Sequence, residues 1–200
     1  MLLRDAGIDD RESFDRIAFE MTFAAVGRRL GTAALGTDAR ITAETGSSWL
    51  IAAWGLDEVG RALLMLQGAR HLGAAEQVEW VDGLYRAGAM RERQAVLRGL
   101  ALLPDPSRFL AIALDACRTS TQPVFEAIAC ENPYPTAYFS EPSFNQMVLK
   151  AVFTEVAVAR ILGLAERRTA ELARMASDYA DERRAAGRTV PADLALLMNR

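Results

Sequence analysis

The sequence has few of the residues that usually hold metal ions or form disulfides. It contains one histidine, His71, and two cysteines, Cys117 and Cys130, which lie thirteen positions apart without a C-x-x-C spacing. A zinc site needs several Cys or His ligands at short spacing, and a disulfide framework needs more cysteines. A low cysteine content is also typical of a reducing compartment. We therefore expect no metal, no cofactor and a cytoplasmic protein.

Long apolar runs and concentrated positive charge are also missing. No window of about 18 uncharged apolar residues exists, so we expect no transmembrane segment. The first residues lack the basic and apolar regions of a signal peptide. The formal net charge is −3, whereas sequence-independent nucleic-acid binding needs a concentrated basic surface. Nucleic acid is therefore disfavoured as a partner.

No segment alternates between apolar and polar residues as a strand does, so the predicted fold class is all-α. We expect a single all-helical domain over residues 1–200, in which residues 1–130 form a helical scaffold. Its most regular part predicts short amphipathic helices with tight turns between them, so neighbours should pack antiparallel. The helix pairs start about 30 residues apart, near the period of stacked helical repeats. The architecture is an irregular helical bundle or a short HEAT-like α-solenoid. The most regular part is expected to contain four such helices, over 74–87, 91–103, 107–117 and 123–130.

Two earlier helices are predicted from apolar spacing. Residues 9–12 supply a cap for the first helix, which should reach Leu30 and bury one face. The residues of that face are Phe14, Ile17, Ala18, Met21 and Ala25. Small and polar residues over 31–46 predict a loop. Ser47 or Ser48 then caps a second helix, which starts near Trp49 and is apolar on most sides, as in a helix buried in the middle of a fold.

The chemically distinctive residues lie between positions 131 and 193. Segment 132–135 predicts an extended loop, because each of its two prolines lacks an N–H and pushes its predecessor towards extended geometry. A helix should restart at Glu141, with a proline in its first turn. A long helix is predicted over 164–186, and Gly187 can end it in the left-handed conformation.

Polar side chains along this stretch form the candidate site. A loop with tyrosines that leads into a helix with Asn, Gln and the only lysine suits a pocket rim. Arginines at the end of the last long helix can bind an acidic group through two parallel hydrogen bonds. The predicted ligand-binding residues are Asn132, Tyr134, Tyr138, Asn145, Gln146, Lys150, Asp178, Tyr179, Arg183, Arg184 and Arg188.

A structural interpretation of the same residues stays open. Asn145 would then hold the loop backbone, Lys150 would be solvated, and the arginines would satisfy the carbonyls and dipole at a helix C terminus. The carboxylates Glu171, Asp178 and Glu182 line one side of the long helix. They are expected to pair with arginines one turn away rather than hold a metal.

Residues 131–193 resemble the EboA family in several separated motifs. These are Glu-Asn-Pro-Tyr-Pro from Glu131, Phe-Asn-Gln-Met-Val-Leu-Lys-Ala from Phe144, Gly163-Leu164 with Arg167, and Asp178-Tyr179 through Pro191. The resemblance over residues 1–130 is only of helical type. The resemblance of residues 131–193 implies a bacterial or cyanobacterial protein from a conserved gene group. That group also encodes a prenyltransferase-like membrane enzyme, a sugar-phosphate-cyclase-like enzyme and TIM-barrel enzymes. That group is linked to making or exporting a secondary metabolite. The resemblance implies no catalytic residues.

Three alternative functions are compatible with these features. The first is an accessory binding protein for a polar or anionic small-molecule metabolite or for a partner protein of the same pathway. The second is an enzyme in which Lys150 acts as a base or imine-forming amine, with Tyr134 or Tyr138 as proton donor and Glu141 or Glu131 as partner. The third, a nucleic-acid-binding helical repeat, is disfavoured by the negative charge. The site requires the proline-rich segment and the last long helix to meet, so that Tyr134, Asn145, Lys150 and Arg184 line one cavity.

Overall fold

The computed structural model describes residues 5–7, 14–36, 38–43, 46 and 48–198. The chain divides into two compact units, Met1–Ile128 and Ala129–Arg200. Helices make up most of both units, beside one small two-stranded sheet, which confirms the all-α class. The single-domain organisation and the choice between bundle and solenoid stay predictions.

The N-terminal unit contains six helices and a hairpin in its described part. Helix α2 packs against α1 and α4, and α3 packs against α4. Short 3-10 turns at Leu100–Leu102 and Pro106–Phe109 connect α4 to α5. The four helices predicted over residues 74–130 are confirmed, with ends that differ by a few residues. The elements are α1 (Arg16–Leu30), β1 (Arg40–Thr42), β2 (Ser48–Leu50), α2 (Leu56–Ala69), α3 (Ala74–Ala87), α4 (Met90–Gly99), α5 (Leu110–Arg118) and α6 (Gln122–Ala129).

Helix α1 ends at Leu30 as predicted, but its buried face differs from the prediction. Ile17 and Met21 are exposed, whereas Phe19 and Phe23 are buried. The ring of Phe19 meets the ring of Trp80 with centroids 4.8 Å apart, so aromatic contacts with α3 determine which side of α1 turns inward. Asp15 caps the helix through its side chain. The predicted cap over 9–12 lies outside the described residues.

A β-hairpin replaces the start of the predicted second helix. Ile41 of β1 lies opposite Trp49 of β2 in an antiparallel register, and the Trp49 side chain is buried. The predicted helix start at Ser48 was therefore wrong, while Ser47 lies outside the described residues. Helix α2 begins only at Leu56. Strands of three residues are too short to show a clear alternation in the sequence, and their pairing depends on the opposite strand.

A buried cluster of charged side chains joins α2 to α4. Asp57 accepts hydrogen bonds from Arg61 (2.7 Å) and from Arg91 Nε (2.8 Å), while Glu58 accepts one from Arg98 (2.6 Å). Asp57 and Glu58, the second and third residues of α2, are fully or almost fully buried. Buried charges are stable in proteins when they are paired and hydrogen-bonded. We call these five residues the N-terminal ion cluster, and the sequence analysis did not predict it.

The C-terminal unit contains five helices and one 3-10 turn in its described part. The start of α8 is confirmed, with Ser140 as N-cap and Pro142 in the first turn. Phe144, Val148 and Val152 of α8 are buried, as expected for its apolar stripe. The elements are α7 (Tyr134–Tyr138), α8 (Glu141–Phe153), a 3-10 turn at Val158–Arg160, α9 (Leu164–Arg167), α10 (Ala170–Ala185) and α11 (Leu194–Met198).

The proline-rich segment forms the start of a helix and not the predicted extended loop. Residues from Tyr134 form α7, and the two prolines of the motif occupy the N-cap and its first turn, where no N–H is needed. The Asn132 Oδ1 atom accepts a hydrogen bond from the Tyr134 N–H (2.9 Å). Tyr134 is fully buried. Burial of this ring and the side-chain turn of Asn132 outweigh the local preference for extended backbone.

The predicted long helix over 164–186 is interrupted. Residue Arg168 is extended between α9 and α10, and Thr169 caps α10 by accepting a hydrogen bond from the Leu172 N–H (3.2 Å). A threonine side chain that caps a new helix also competes with continuation of the previous one. The predicted end is confirmed, because Gly187 is left-handed with φ 66°.

Candidate functional site

The C-terminal unit contains a hollow of about 350 Å³ beside the C-terminal ends of α8 and α10. This volume lies at the small end of the range for ligand sites. We call it the C-terminal hollow. Its polar lining comes from Glu155, Arg183, Thr189 and Asp193, and its apolar lining from Val152, Val156, Ala157, Pro191 and Ala192.

Both helices beside the hollow end in the same backbone pattern. Glu155 after α8 and Gly187 after α10 are left-handed, with φ 58° and φ 66°. The next N–H then donates to a carbonyl five positions back, from Val156 to Ala151 (2.8 Å) and from Arg188 to Arg183 (2.9 Å). This pattern stops a helix and turns the chain sharply. The two turns bring the segments after α8 and α10 into the lining of the hollow.

Arg183 supplies the positive charge of the hollow. Its Nε–H donates to the Thr189 carbonyl (2.9 Å), and its guanidinium lies over the Tyr179 ring at 6.0 Å from the centroid. The Tyr179 ring in turn packs against Phe153, with centroids 4.5 Å apart. Within the described part of the chain, the two terminal amino groups of Arg183 make no hydrogen bond or ion pair. The guanidinium is thus oriented by the protein but keeps its terminal donors for a ligand.

Two carboxylates share the lining with Arg183. Asp193 accepts a hydrogen bond through Oδ2 from the Val158 N–H (2.8 Å), and its Oδ1 has no partner among residues that the structure describes. Glu155 is exposed. Neither carboxylate forms an ion pair with Arg183. The hollow therefore offers a cationic donor group and separate acceptor groups against an apolar wall.

Several residues of the family-like motifs hold the fold together instead of lining the hollow. Arg160 binds Glu131 with two hydrogen bonds, Nε to Oε1 at 2.8 Å and Nη2 to Oε2 at 3.0 Å. Glu131 is left-handed with φ 47°, and its N–H donates to the Arg160 carbonyl (2.9 Å). A double connection of this kind fixes the chain where it enters the segment before α7.

Arg167 closes the C-terminal end of α7. It donates to the carbonyls of Thr136 (2.5 Å) and Phe139 (2.8 Å), and it lies over the Phe144 ring at 4.7 Å. The Thr136 hydroxyl makes a short hydrogen bond to the Leu162 carbonyl. Gly163 follows, left-handed with φ 68°, and a Cβ there would lie 2.3 Å from the Thr136 side chain. Only glycine fits at this approach of the two segments.

The structure places the other predicted site residues in different environments. Tyr134 and Asn132 are buried, and the Tyr134 ring packs on Tyr138. Burial, followed by the neighbouring Tyr138, raises the pKa of Tyr134 well above its usual value. Asn145 is also buried, and its Oδ1 has no hydrogen-bond partner among the described residues. The burial of Tyr134 and its packing on Tyr138 support a structural role for this segment.

Most of the remaining predicted site residues lie at exposed positions. Gln146 and Arg188 are exposed, and Lys150 is half-buried. Asp178 accepts a hydrogen bond from Arg174 (2.5 Å), and Arg184 donates one to Asp181 (2.5 Å). Pairs of this kind on a solvated helix face were the structural alternative for the carboxylate ridge. Of the eleven predicted ligand-binding residues, Arg183 lines the C-terminal hollow and Tyr179 supports it.

The residues proposed for imine or acid–base chemistry do not all come together. Glu141 and Lys150 lie nine positions apart in α8, which separates their backbones by about 13.5 Å along the helix. Glu141 is exposed at the first turn, so it cannot act as the partner of Lys150. The wider enzyme hypothesis stays a prediction.

Metal sites and membrane spans are two other features that the described residues can be searched for. The described residues contain no group of three or more His, Cys, Asp or Glu side chains suited to a metal ion. None of the helices in the described ranges combines the length and apolarity needed to cross a bilayer.

Asp193 and Glu155 were not predicted from the sequence as lining residues, although Asp193 lies at the end of the distinctive stretch. The signal for Glu155 was weak, because a glutamate just after a helix is usually solvated. Its left-handed conformation depends on the turn after α8 and leaves no mark in the sequence. Asp193 shows its role only through the Val158 N–H that it binds 35 positions earlier.

No curated protein and no solved structure matches the chain. A family model described as metabolite traffic protein EboA matches residues 7–199, which is nearly the whole chain. The match includes the residues around the C-terminal hollow and extends the resemblance to the N-terminal unit. The chain therefore belongs to the EboA family of metabolite traffic proteins.

Proposed function

We propose that this protein is an accessory binding protein whose C-terminal hollow takes a small anionic metabolite. The observation that carries the proposal is the position of the Arg183 guanidinium and the hydrogen-bond donors that it keeps. Its guanidinium lines the hollow, is held by Thr189 and Tyr179, and keeps both terminal amino groups without a protein partner in the described part of the chain.

The donor geometry of Arg183 favours an acidic group with two or more oxygens. An arginine fork matches a carboxylate or phosphate with two parallel hydrogen bonds, and it stays charged at all physiological pH values. Because the Nε–H is already bound to Thr189, a ligand would approach the outer edge of the fork. Holding the side chain in advance reduces the entropy lost on binding.

The remaining lining suggests the rest of the ligand. Val152, Val156 and Pro191 offer an apolar wall, and Asp193 Oδ1 can accept a hydrogen bond from a hydroxyl or amine. A metabolite with an acidic group, a small apolar body and one donor would satisfy all three features. The family description supports carriage of a metabolite within a pathway. We propose a pathway enzyme as the receiver of this ligand and the cytoplasm as the place of exchange.

The test uses two neighbouring arginines. Calorimetric titration with cyclohexanecarboxylate, with cyclohexanol as the uncharged comparison, would be carried out on the natural chain, Arg183→Ala and Arg184→Ala. Arg184 is exposed and paired with Asp181, so its replacement removes the same charge outside the hollow. We expect carboxylate binding to weaken more than about tenfold in Arg183→Ala and to stay unchanged in Arg184→Ala. Equal affinity in both variants, or equal binding of the alcohol, would refute the proposal.

A further inference from the structure

We propose a second binding site, for a small phosphate-bearing anion, in the N-terminal unit. A hollow of about 390 Å³ lies beside the C-terminal ends of α3 and α5. We call it the arginine hollow. It is independent of the function proposed for the C-terminal hollow. Its lining consists of Tyr85, Arg86, Arg93, Asp115, Arg118 and Thr119.

Positive charge exceeds negative charge in this lining. Three guanidiniums come from three helices, α3, α4 and the end of α5, while Asp115 is the only carboxylate among the lining residues. Burial raises the pKa of Tyr85, and the charge of Asp115 adds to the rise. The Tyr85 hydroxyl therefore keeps its proton and adds no negative charge to the lining.

Arg93 is fixed in position by the protein. Its Nε donates to the Gly88 carbonyl (2.8 Å) and its Nη2 to the Arg86 carbonyl (3.0 Å). The guanidinium lies over the Tyr85 ring at 5.9 Å. Its Nη1 makes no hydrogen bond with any residue in the described ranges. Arg93 thus closes the end of α3 and still presents one amino group.

Arg118 is an exposed arginine in the lining of the arginine hollow. It lies in the last turn of α5, where an arginine could bind the last carbonyls. Yet its side chain makes no hydrogen bond or ion pair within the part of the chain that the structure describes, and it is exposed. Arg86 differs, because its Nε binds Asp82 (2.6 Å), which leaves only its terminal amino groups for the hollow.

Phosphate is the ligand chemistry that fits this arrangement best. Terminal amino groups on Arg86, Arg93 and Arg118 approach from different helices and together offer more donors than the two oxygens of a carboxylate can accept. A phosphate monoester has three terminal oxygens and a charge between −1.5 and −2 near neutral pH. Arginine is preferred where phosphate is bound by several hydrogen bonds. The size of the hollow suits a small molecule rather than a nucleic acid.

The test is a calorimetric titration with pyrophosphate, with sulfate as a competitor, on the full chain and on single variants. Because Arg118 is exposed and makes no ion pair with a described residue, Arg118→Ala should fold normally. We expect its pyrophosphate affinity to fall about tenfold or more. Arg118→Lys keeps the charge but loses the fork, so its affinity should lie between those of the natural chain and Arg118→Ala.

Two controls make the outcome decisive. Arg184→Ala removes one positive charge elsewhere and should bind pyrophosphate as the natural chain does. Arg183→Ala should do the same, because it alters only the C-terminal hollow. Absence of binding to the natural chain, equal affinity in Arg118→Ala and Arg184→Ala, or loss of binding in Arg183→Ala would each overturn the arginine hollow.

Discussion

Replacing Asp57 with asparagine removes the central acceptor of the N-terminal ion cluster. Asp57 is fully buried and binds Arg61 at 2.7 Å and Arg91 Nε at 2.8 Å, with a further short contact to Arg91 Nη2. Asparagine has nearly the same size, so the change deletes charge and not volume. It leaves two guanidiniums without their nearest anion, so that Arg61 keeps only Glu92 at 4.0 Å and Arg91 only Glu58 at 3.8 Å.

The expected loss of stability follows from this geometry. Removing one partner of a buried ion pair costs about 3–5 kcal/mol, because the other charge stays buried without compensation. Arg61 comes close to that position, because only 5% of its side chain is exposed and its remaining carboxylate, Glu92 Oε1, is 4.0 Å away. Arg91 is 40% exposed, so water replaces part of its lost contact. We therefore expect the free energy of unfolding to fall by about 3 kcal/mol, at the lower end of that range.

Tryptophan fluorescence during urea unfolding measures this effect selectively. All three tryptophans, Trp49, Trp54 and Trp80, belong to the N-terminal unit. Asp82→Asn is the matched control, because Asp82 forms an exposed pair with Arg86 one turn away, and it should change the urea midpoint little. If Asp57→Asn and Asp82→Asn unfold at the same urea concentration, the ion cluster does not stabilise the unit as argued.

The same variant tests the pH dependence of stability. Burial alone would raise the pKa of Asp57, but hydrogen bonds from and charges on Arg91 and Arg61 outweigh it, so the pKa lies below its ordinary value. A carboxyl with a lowered pKa in the folded state stabilises above its unfolded pKa of about 3.9. That stabilisation is lost as the pH falls through the folded pKa. We expect the natural chain to lose stability more steeply on acidification than Asp57→Asn, and parallel curves would contradict this.

Two further predictions concern the segment around α7, and hydrogen exchange of the α7 amides measures both. Gly163→Ala places a Cβ 2.3 Å from the Thr136 side chain at φ 68°, whereas Gly187→Ala has a similar φ of 66° with no atom within 4 Å. Gly163→Ala should therefore speed exchange more, by the equivalent of about 1–3 kcal/mol of overpacking. Arg167→Ala deletes two hydrogen bonds to carbonyls at the end of α7 and should cost about 1.5–3 kcal/mol. Arg174→Ala, on the exposed face of α10, should leave exchange in α7 unchanged. Equal exchange in the two glycine variants, or in the two arginine variants, would contradict these interpretations.

Local signals predicted several elements correctly. Helix α3 has the predicted bounds, α8 begins where Ser140 and Pro142 indicate a start, and Gly187 ends α10. Each of these depends on residues within one or two helical turns. Caps, first-turn prolines and left-handed glycines act locally, so their effect can be predicted without knowing the rest of the chain.

Long-range contacts explain the predictions that were wrong. The proline-rich segment was expected to be extended, yet Arg167 from 31 positions later binds the carbonyl of Thr136 in α7 and helps to hold this helix. The hairpin depends on Ile41 meeting Trp49. On α1, Phe19 and not Ile17 turns inward, because it meets Trp80 of α3. None of these partners lies within the local window from which the predictions were made.

The candidate site also combines features that the sequence predicts with features that only packing determines. The composition of the stretch pointed to Arg183 and Arg184 together, since both end an arginine-rich helix. Neighbouring positions on a helix point about 100° apart, and only packing decides which one faces a hollow. Thr189 and Tyr179 hold Arg183 at the lining, while Arg184 binds Asp181 on the exposed face.

The sequence by itself determined the helical class, most helix ends and the family motifs, because these depend on neighbouring residues and on composition. Only the tertiary structure decided which charges are buried and which arginines keep free donors. The N-terminal ion cluster unites carboxylates at the start of α2 with arginines more than 30 positions later. A charged side chain is solvated or buried according to what packs over it, and the packing partners here are distant in the chain.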